Sequence, residues 1–134
     1  MSRRASFPFE RVLTPLGFVW LPVARVVVSN HSRSLEMDMV VDTGADLTMI
    51  PHQFGLDLML KPGDGNLRTL AGISGSTSYL LRSVRLTIGS IRLNARIAWA
   101  QHDDVPVILG RTDGLDRLVT TFDGPGRQVT LSLP

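Results

Sequence analysis

The run Met39-Val40-Val41-Asp42-Thr43-Gly44-Ala45-Asp46, followed at once by Leu47-Thr48-Met49-Ile50-Pro51, decides how the rest of the chain is read. An apolar, β-branched segment delivers the carboxylate of Asp42 to a point where Thr43 and Gly44 turn the backbone, and a second apolar segment then leaves. Upstream, Leu35, Met37, Met39 and Val41 alternate with Glu36 and Asp38, the period of two that marks a half-buried strand. A carboxylate between two strands is either the start of an ordinary Asp-initiated turn or a working acid. The tripeptide alone leaves both open.

Two distant segments bear on the choice. Leu70-Ala71-Gly72-Ile73-Ser74-Gly75-Ser76-Thr77 is a glycine-rich tip between strand-like arms, and Val105-Pro106-Val107-Ile108-Leu109-Gly110-Arg111 is a short apolar strand closed by a glycine. In this order and rough spacing, Asp-Thr-Gly-Ala, the glycine-rich hairpin and Ile-Leu-Gly-Arg resemble the retropepsin-like aspartic proteases. The resemblance runs from around Val23 to the C-terminus.

The remaining segments read as short strands and turns. Residues 17–29 are rich in β-branched side chains, 30–34 form a turn by composition, and the strand that follows ends at Asp42, a first hairpin. Residues 51–55 can begin one helical turn, with Pro51 at its first position. Arms at 67–71 and 76–81 give a second hairpin, and 84–88 with 91–99 give a third around Gly89-Ser90. Residues 111–118 are the best candidate for a helix, weakened at Gly114, and 119–122 with 128–133 close the chain as a last hairpin. The expected fold is all-β: a closed barrel of short strands and hairpins with one short C-terminal helix, of the acid-protease type by resemblance. Residues 1–15 read as an N-terminal arm or edge strand, and 16–134 as the protease-like domain.

Composition excludes several alternatives. A chain of 134 residues with 43% hydrophobic and 19% charged residues can bury a core and is not of the disordered class. It has no Cys, so a thiol nucleophile, a disulfide framework and a Cys-based zinc site are all ruled out. The net charge is +2, and the basic residues, all Arg except Lys61, are scattered rather than grouped with aromatics, which argues against nucleic-acid binding. Residues 16–28 are too short for a membrane span and are interrupted by Pro22 and Arg25. No apolar core of a signal peptide follows the first basic residues, so a cytoplasmic location is expected. His102-Asp103-Asp104 reads as a polar loop rather than a metal site, because adjacent residues of a strand cannot share one coordination sphere.

Cleaving a peptide bond with carboxylates takes two of them sharing one proton, one acting on water and its protonated neighbour on the substrate carbonyl. The chain carries one Asp-Thr-Gly and no internal repeat. The second acid must then be Asp42 of another copy, across a two-fold axis, which predicts a homodimer. The function expected is an aspartic endopeptidase acting on extended peptide or protein segments, most active on the acidic side of neutral.

The resemblance also implies roles for individual residues. The Thr43 hydroxyl would reach the other subunit's backbone, and Gly44 would let a backbone amide approach the Asp42 carboxylate. Ala45 and Asp46 would contact the substrate, with Asp46 held by Arg111. Gly72, Ile73, Ser74 and Gly75 would be the flap that closes over the peptide. Ile108, Leu109 and Gly110 would cross behind the catalytic loop. No cofactor or metal is implied. Two departures stand out: the flap has a Ser and fewer glycines than retroviral enzymes, and the N-terminal arm has no counterpart in them, whose dimers are sealed by interleaved termini. The competing reading is a non-catalytic dimerisation or peptide-binding module on the same fold.

Overall fold

The computed structural model describes residues 3–63, 67–72 and 75–134, with 67–72 and 75–76 described as backbone. The strands follow the alternation of the sequence: β1 (Arg4–Pro8), β2 (Glu10–Thr14), β3 (Gly17–Leu21), β4 (Val23–Asn30) and β5 (Arg33–Val41). After β6 (Thr48–Ile50) comes a short helix α1 (His52–Asp57), then β7 (Leu67–Gly72), β8 (Gly75–Ile88), β9 (Ile91–Ala100), β10 (Ile108–Leu109), β11 (Val119–Asp123) and β12 (Gln128–Ser132). The largest sheet has the order β4-β5-β10-β6-β9-β8-β7, and β4 also pairs with β8, so six of its strands form a closed ring of pairings.

The ring encloses the core. On β9 the residues Ile91, Leu93, Ala95, Ile97 and Trp99 point inward and are buried, as are Ala24, Val26 and Val28 on β4. Burying these apolar side chains stabilises the fold by roughly 1.5–3 kcal/mol for each full-size residue. A second sheet, in the order β1-β12-β11, adds Val129 and Leu131 to the same core, with Phe7 and Phe9 packed against it. The hairpin β2–β3 forms a sheet by itself.

Three expectations need correction. The single strand expected over 17–29 is two, β3 and β4, because Pro22 has no N–H to give a ladder. The arms expected at 76–81 and 84–88 belong to one 14-residue strand, β8, which passes from pairing with β7 to pairing with β9 and β4. The C-terminal helix is reduced to one 3-10 turn, Leu115–Arg117, and the α-helix lies at α1 instead. The cause is local: Asp113 is left-handed (φ 59°) and Gly114 has φ −115° and ψ −101°, so no helical run starts at Arg111.

Helix α1 has an unusual start. Pro51 occupies its N-cap without a capping side chain, and the Gln53 amide instead donates to Asp103 Oδ1 (2.7 Å) from the 102–104 loop. Gly55 faces the Trp99 indole, whose Nε1–H donates to the His52 carbonyl (2.9 Å), and a β-carbon at Gly55 would overlap that ring. Among the described residues no helix is long and apolar enough to cross a membrane.

Candidate active site

Asp42 sits in the loop between β5 and β6, and both of those strands pair with β10, β5 in parallel and β6 antiparallel. The loop is therefore stretched over the end of a two-residue strand, and backbone hydrogen bonds fasten it there. The Asp42 amide donates to the Leu109 carbonyl (3.1 Å), the Arg111 amide to Ala45 (3.0 Å), and the Thr112 amide to Asp46 (2.9 Å). Because these donors and acceptors are backbone groups, the loop's path does not depend on flexible side chains.

Within the loop, the Gly44 amide donates to Asp42 Oδ1 (2.9 Å), and the Ala45 amide to the Asp42 carbonyl (3.2 Å). This Asx-type turn fixes one carboxylate oxygen and leaves Asp42 half-buried at the start of the loop. A β-carbon on Gly44 would come to 3.2 Å from Asp42 Oδ1, which crowds the acid. Thr43 and Asp46 are exposed and Ala45 is half-buried.

Below the loop the packing is closer. Gly110 follows β10 directly, and a β-carbon there would overlap the Leu47 carbonyl. The Gly110 amide donates to Thr48 Oγ1 (3.0 Å), and Thr48 is fully buried. Arg111 bonds Asp46 Oδ1 through Nη2, with both side chains largely exposed. Ile108 is half-buried and Leu109 is in the core.

Thus Asp42, Thr43, Gly44, Ala45, Asp46, Ile108, Leu109, Gly110 and Arg111 lie together in one cluster. Of the expected flap, Gly72 and Gly75 pair across the end of the β7–β8 hairpin, and Ile73 and Ser74 lie outside the described residues. A cavity of about 410 Å³ lined by Ser29, Asn30, His31, Ser83 and Arg85 opens at the other end of the β4–β5 hairpin from Asp42. It offers no carboxylate, so it is a poor place for this chemistry.

A family model described as Aspartyl protease matches residues 25–112, which contain the whole Asp42 loop, β10 and Arg111. The chain belongs to the aspartyl protease family. Its fold is that of a retropepsin-like aspartic protease from Rickettsia conorii, with a TM-score of 0.69 over 99% of this chain and 94% of that one at 17% identity. EIAV protease, solved in complex with the inhibitor HBY-793, superposes with a TM-score of 0.52 at 22% identity, covering 68% of this chain and 82% of that one. No curated protein matches. Family membership supports a peptidase.

Sequence reasoning passes over two residues of this aspartyl protease's site region. Thr48 reads as one more β-branched strand residue, although a hydroxyl inside the apolar run 47–50 is a signal that something must bond it. Asp113 reads as a weak helix start. In the structure its carboxylate accepts from Arg96 Nε (2.7 Å), the Arg96 amide (3.1 Å) and Arg117 Nη2 (2.9 Å). The Arg96 hydrogen bonds hold its pKa down to about 2. That clamp ties the segment after Arg111 to β9.

Proposed function

We propose that the chain is an aspartic endopeptidase that cleaves extended polypeptide segments as a homodimer, through a dyad of Asp42 from each subunit. The observation that carries this reading is the Asp42 loop itself: one carboxylate, braced by the Gly44 amide and fastened to 109–112 by backbone bonds, in a chain matched by the aspartyl protease family. One acid per chain is half of the machinery. Two such loops meeting at a two-fold axis would share a proton, because like charges that close cannot both ionise.

In that dimer one Asp42 takes the proton of a water molecule while the other donates to the substrate carbonyl. Thr43 and Gly44 support the dyad, Ala45 and Asp46 contact the peptide, and Arg111 holds Asp46 in place. The expected flap, with Gly72 and Gly75 at the end of the β7–β8 hairpin, covers the substrate. Ile108, Leu109 and Gly110 form the floor on which the loop rests.

The test compares wild type with Asp42→Asn on an unfolded protein over a range of acidic pH, with and without a transition-state-like inhibitor of aspartic proteases. Cleavage by wild type that is inhibited, and lost in Asp42→Asn while the fold is kept, is the expected result. Cleavage that survives the substitution removes the dyad, and no cleavage by either protein supports the non-catalytic module.

A further inference from the structure

A dyad needs something to hold two copies together, and the strand pairings narrow what that can be. β12 is the middle strand of its sheet, paired with β1 from Pro8↔Gln128 to Arg4↔Ser132 and with β11 from Asp123↔Gln128 to Val119↔Ser132. Both of its edges are used within its own chain, so the C-terminal strand has no free backbone groups with which to interleave with a partner's termini, and among the described residues that sheet is open at the outer edges of β1 and β11 alone.

The β2–β3 hairpin is in the opposite condition. Among the described residues it pairs only within itself, and one of its faces carries Arg11 opposite Trp20 and Leu13 opposite Phe18, with Leu16 at the turn. Leu13 is 68% exposed, Leu16 96%, Phe18 59% and Trp20 41%. The Arg11 guanidinium lies 4.2 Å over the Phe18 ring and that of Arg127 4.0 Å over Trp20, so each ring has one face partly covered while Leu13 and Leu16 remain exposed. Four large apolar side chains together on one short hairpin mark a contact surface.

The root of the hairpin lies next to the Asp42 loop. β3 ends at Leu21, and the next carbonyl, that of Pro22, accepts the amide of Val41 (2.8 Å), the residue before Asp42. The hairpin thus rises beside the catalytic loop, and five-residue strands reach about 17 Å. A two-fold axis beside Asp42 brings the second copy to this same place. The four side chains offer on the order of 400 Å² per copy, about half of the roughly 800 Å² that each partner gives to a standard interface. The two Asp42 loops and their surroundings would supply the remainder.

We propose that the β2–β3 hairpin is a clasp that lies against a second copy of this chain and holds the two Asp42 loops together, in place of interleaved termini. The proposal rests on the dyad reading for its axis and can fail separately from it. Leu16→Asp and Phe18→Ser, both at exposed positions, are compared with wild type by sedimentation across a dilution series, with circular dichroism to verify the fold. The dimer dissociation constant rises at least about tenfold in each variant, and cleavage falls at low protein concentration and recovers at high concentration.

Tryptophan emission gives a second readout. Trp99 is buried, so a red shift of wild type on dilution reports Trp20 losing its cover. Variants that dimerise and cleave like wild type overturn the clasp and leave the dyad standing. A wild-type dimer that both substitutions dissociate, with no cleavage by any of the proteins, supports the clasp and overturns the protease. A wild type that stays monomeric, with Trp20 emission moving to the blue only on adding phosphatidylcholine vesicles, overturns the clasp and assigns the face to a membrane.

Discussion

Gly110 passes so close beneath Leu47 that a β-carbon at 110 would overlap the Leu47 carbonyl and come to 2.9 Å from the Thr48 amide nitrogen. Both obstacles are backbone, so no side chain can swing away to make room. Gly110→Ala must therefore move the Asp42 loop, at a cost of about 1–3 kcal/mol for overpacking. Urea denaturation measures that loss. Cleavage should fall much further, by roughly 100-fold, because a displacement of about 1 Å in a reacting group is enough. Activity equal to wild type in the folded variant would mean that the loop's position over β10 does not matter.

Thr48 makes the complementary prediction. Its buried hydroxyl accepts the Gly110 amide at 3.0 Å, and Thr48→Val keeps the shape while removing the acceptor. The amide is then left unpaired, which costs about 1–3 kcal/mol. Thr48→Ser, which retains the oxygen, should lose less in the same denaturation experiment. A loss in Thr48→Val no larger than that in Thr48→Ser would mean that the methyl packing counts for at least as much as the hydrogen bond.

The contrast between these residues and Asp42 explains how much could be read in advance. Strand alternation, the Gly89-Ser90 turn and the Asp42-Thr43-Gly44 turn are local, since each is set by neighbours a few residues away. Thr48, Asp103 and Asp113 act on partners 62, 50 and 17 residues distant; a hydroxyl in an apolar run announces that Thr48 needs a partner, but nothing nearby in sequence says which one any of the three will take. The insertion of β10 between β5 and β6, and the closing pair β4–β8, are long-range in the same sense. The helix expected at 111–118 fails because Asp113 is left-handed (φ 59°) and Gly114 is far from helical angles, while the Asp113 carboxylate is taken up by Arg96.

Arg111 separates stability from function. Its side chain and that of Asp46 are 45% and 69% exposed, and ion pairs of that kind contribute under about 1 kcal/mol. Its backbone bond to Ala45 survives any substitution except proline. Arg111→Gln should therefore leave the urea midpoint nearly unchanged. If Asp46 must be held to receive the peptide, the substitution raises KM more than it lowers kcat. A large stability loss would show that the pair is structural.

Asp113 predicts how the fold responds to acid. The hydrogen bonds from Arg96, side chain first and then amide, lower its pKa from the usual 3.8 to about 2. The folded state therefore binds its proton less readily than the unfolded chain, so the clamp's contribution is complete above pH 4 or so and is lost as pH falls through about 2. Asp113→Asn should lower the Tm at neutral pH, keep the same deficit down to the mildly acidic range in which an aspartic dyad works, and converge with wild type near pH 2. Thermal unfolding of both proteins across that range, at constant ionic strength, measures it. A deficit that stays the same at the acid end would mean that the Asp113 side chain contributes by packing and not by charge, because only the charged interaction disappears when wild type becomes protonated.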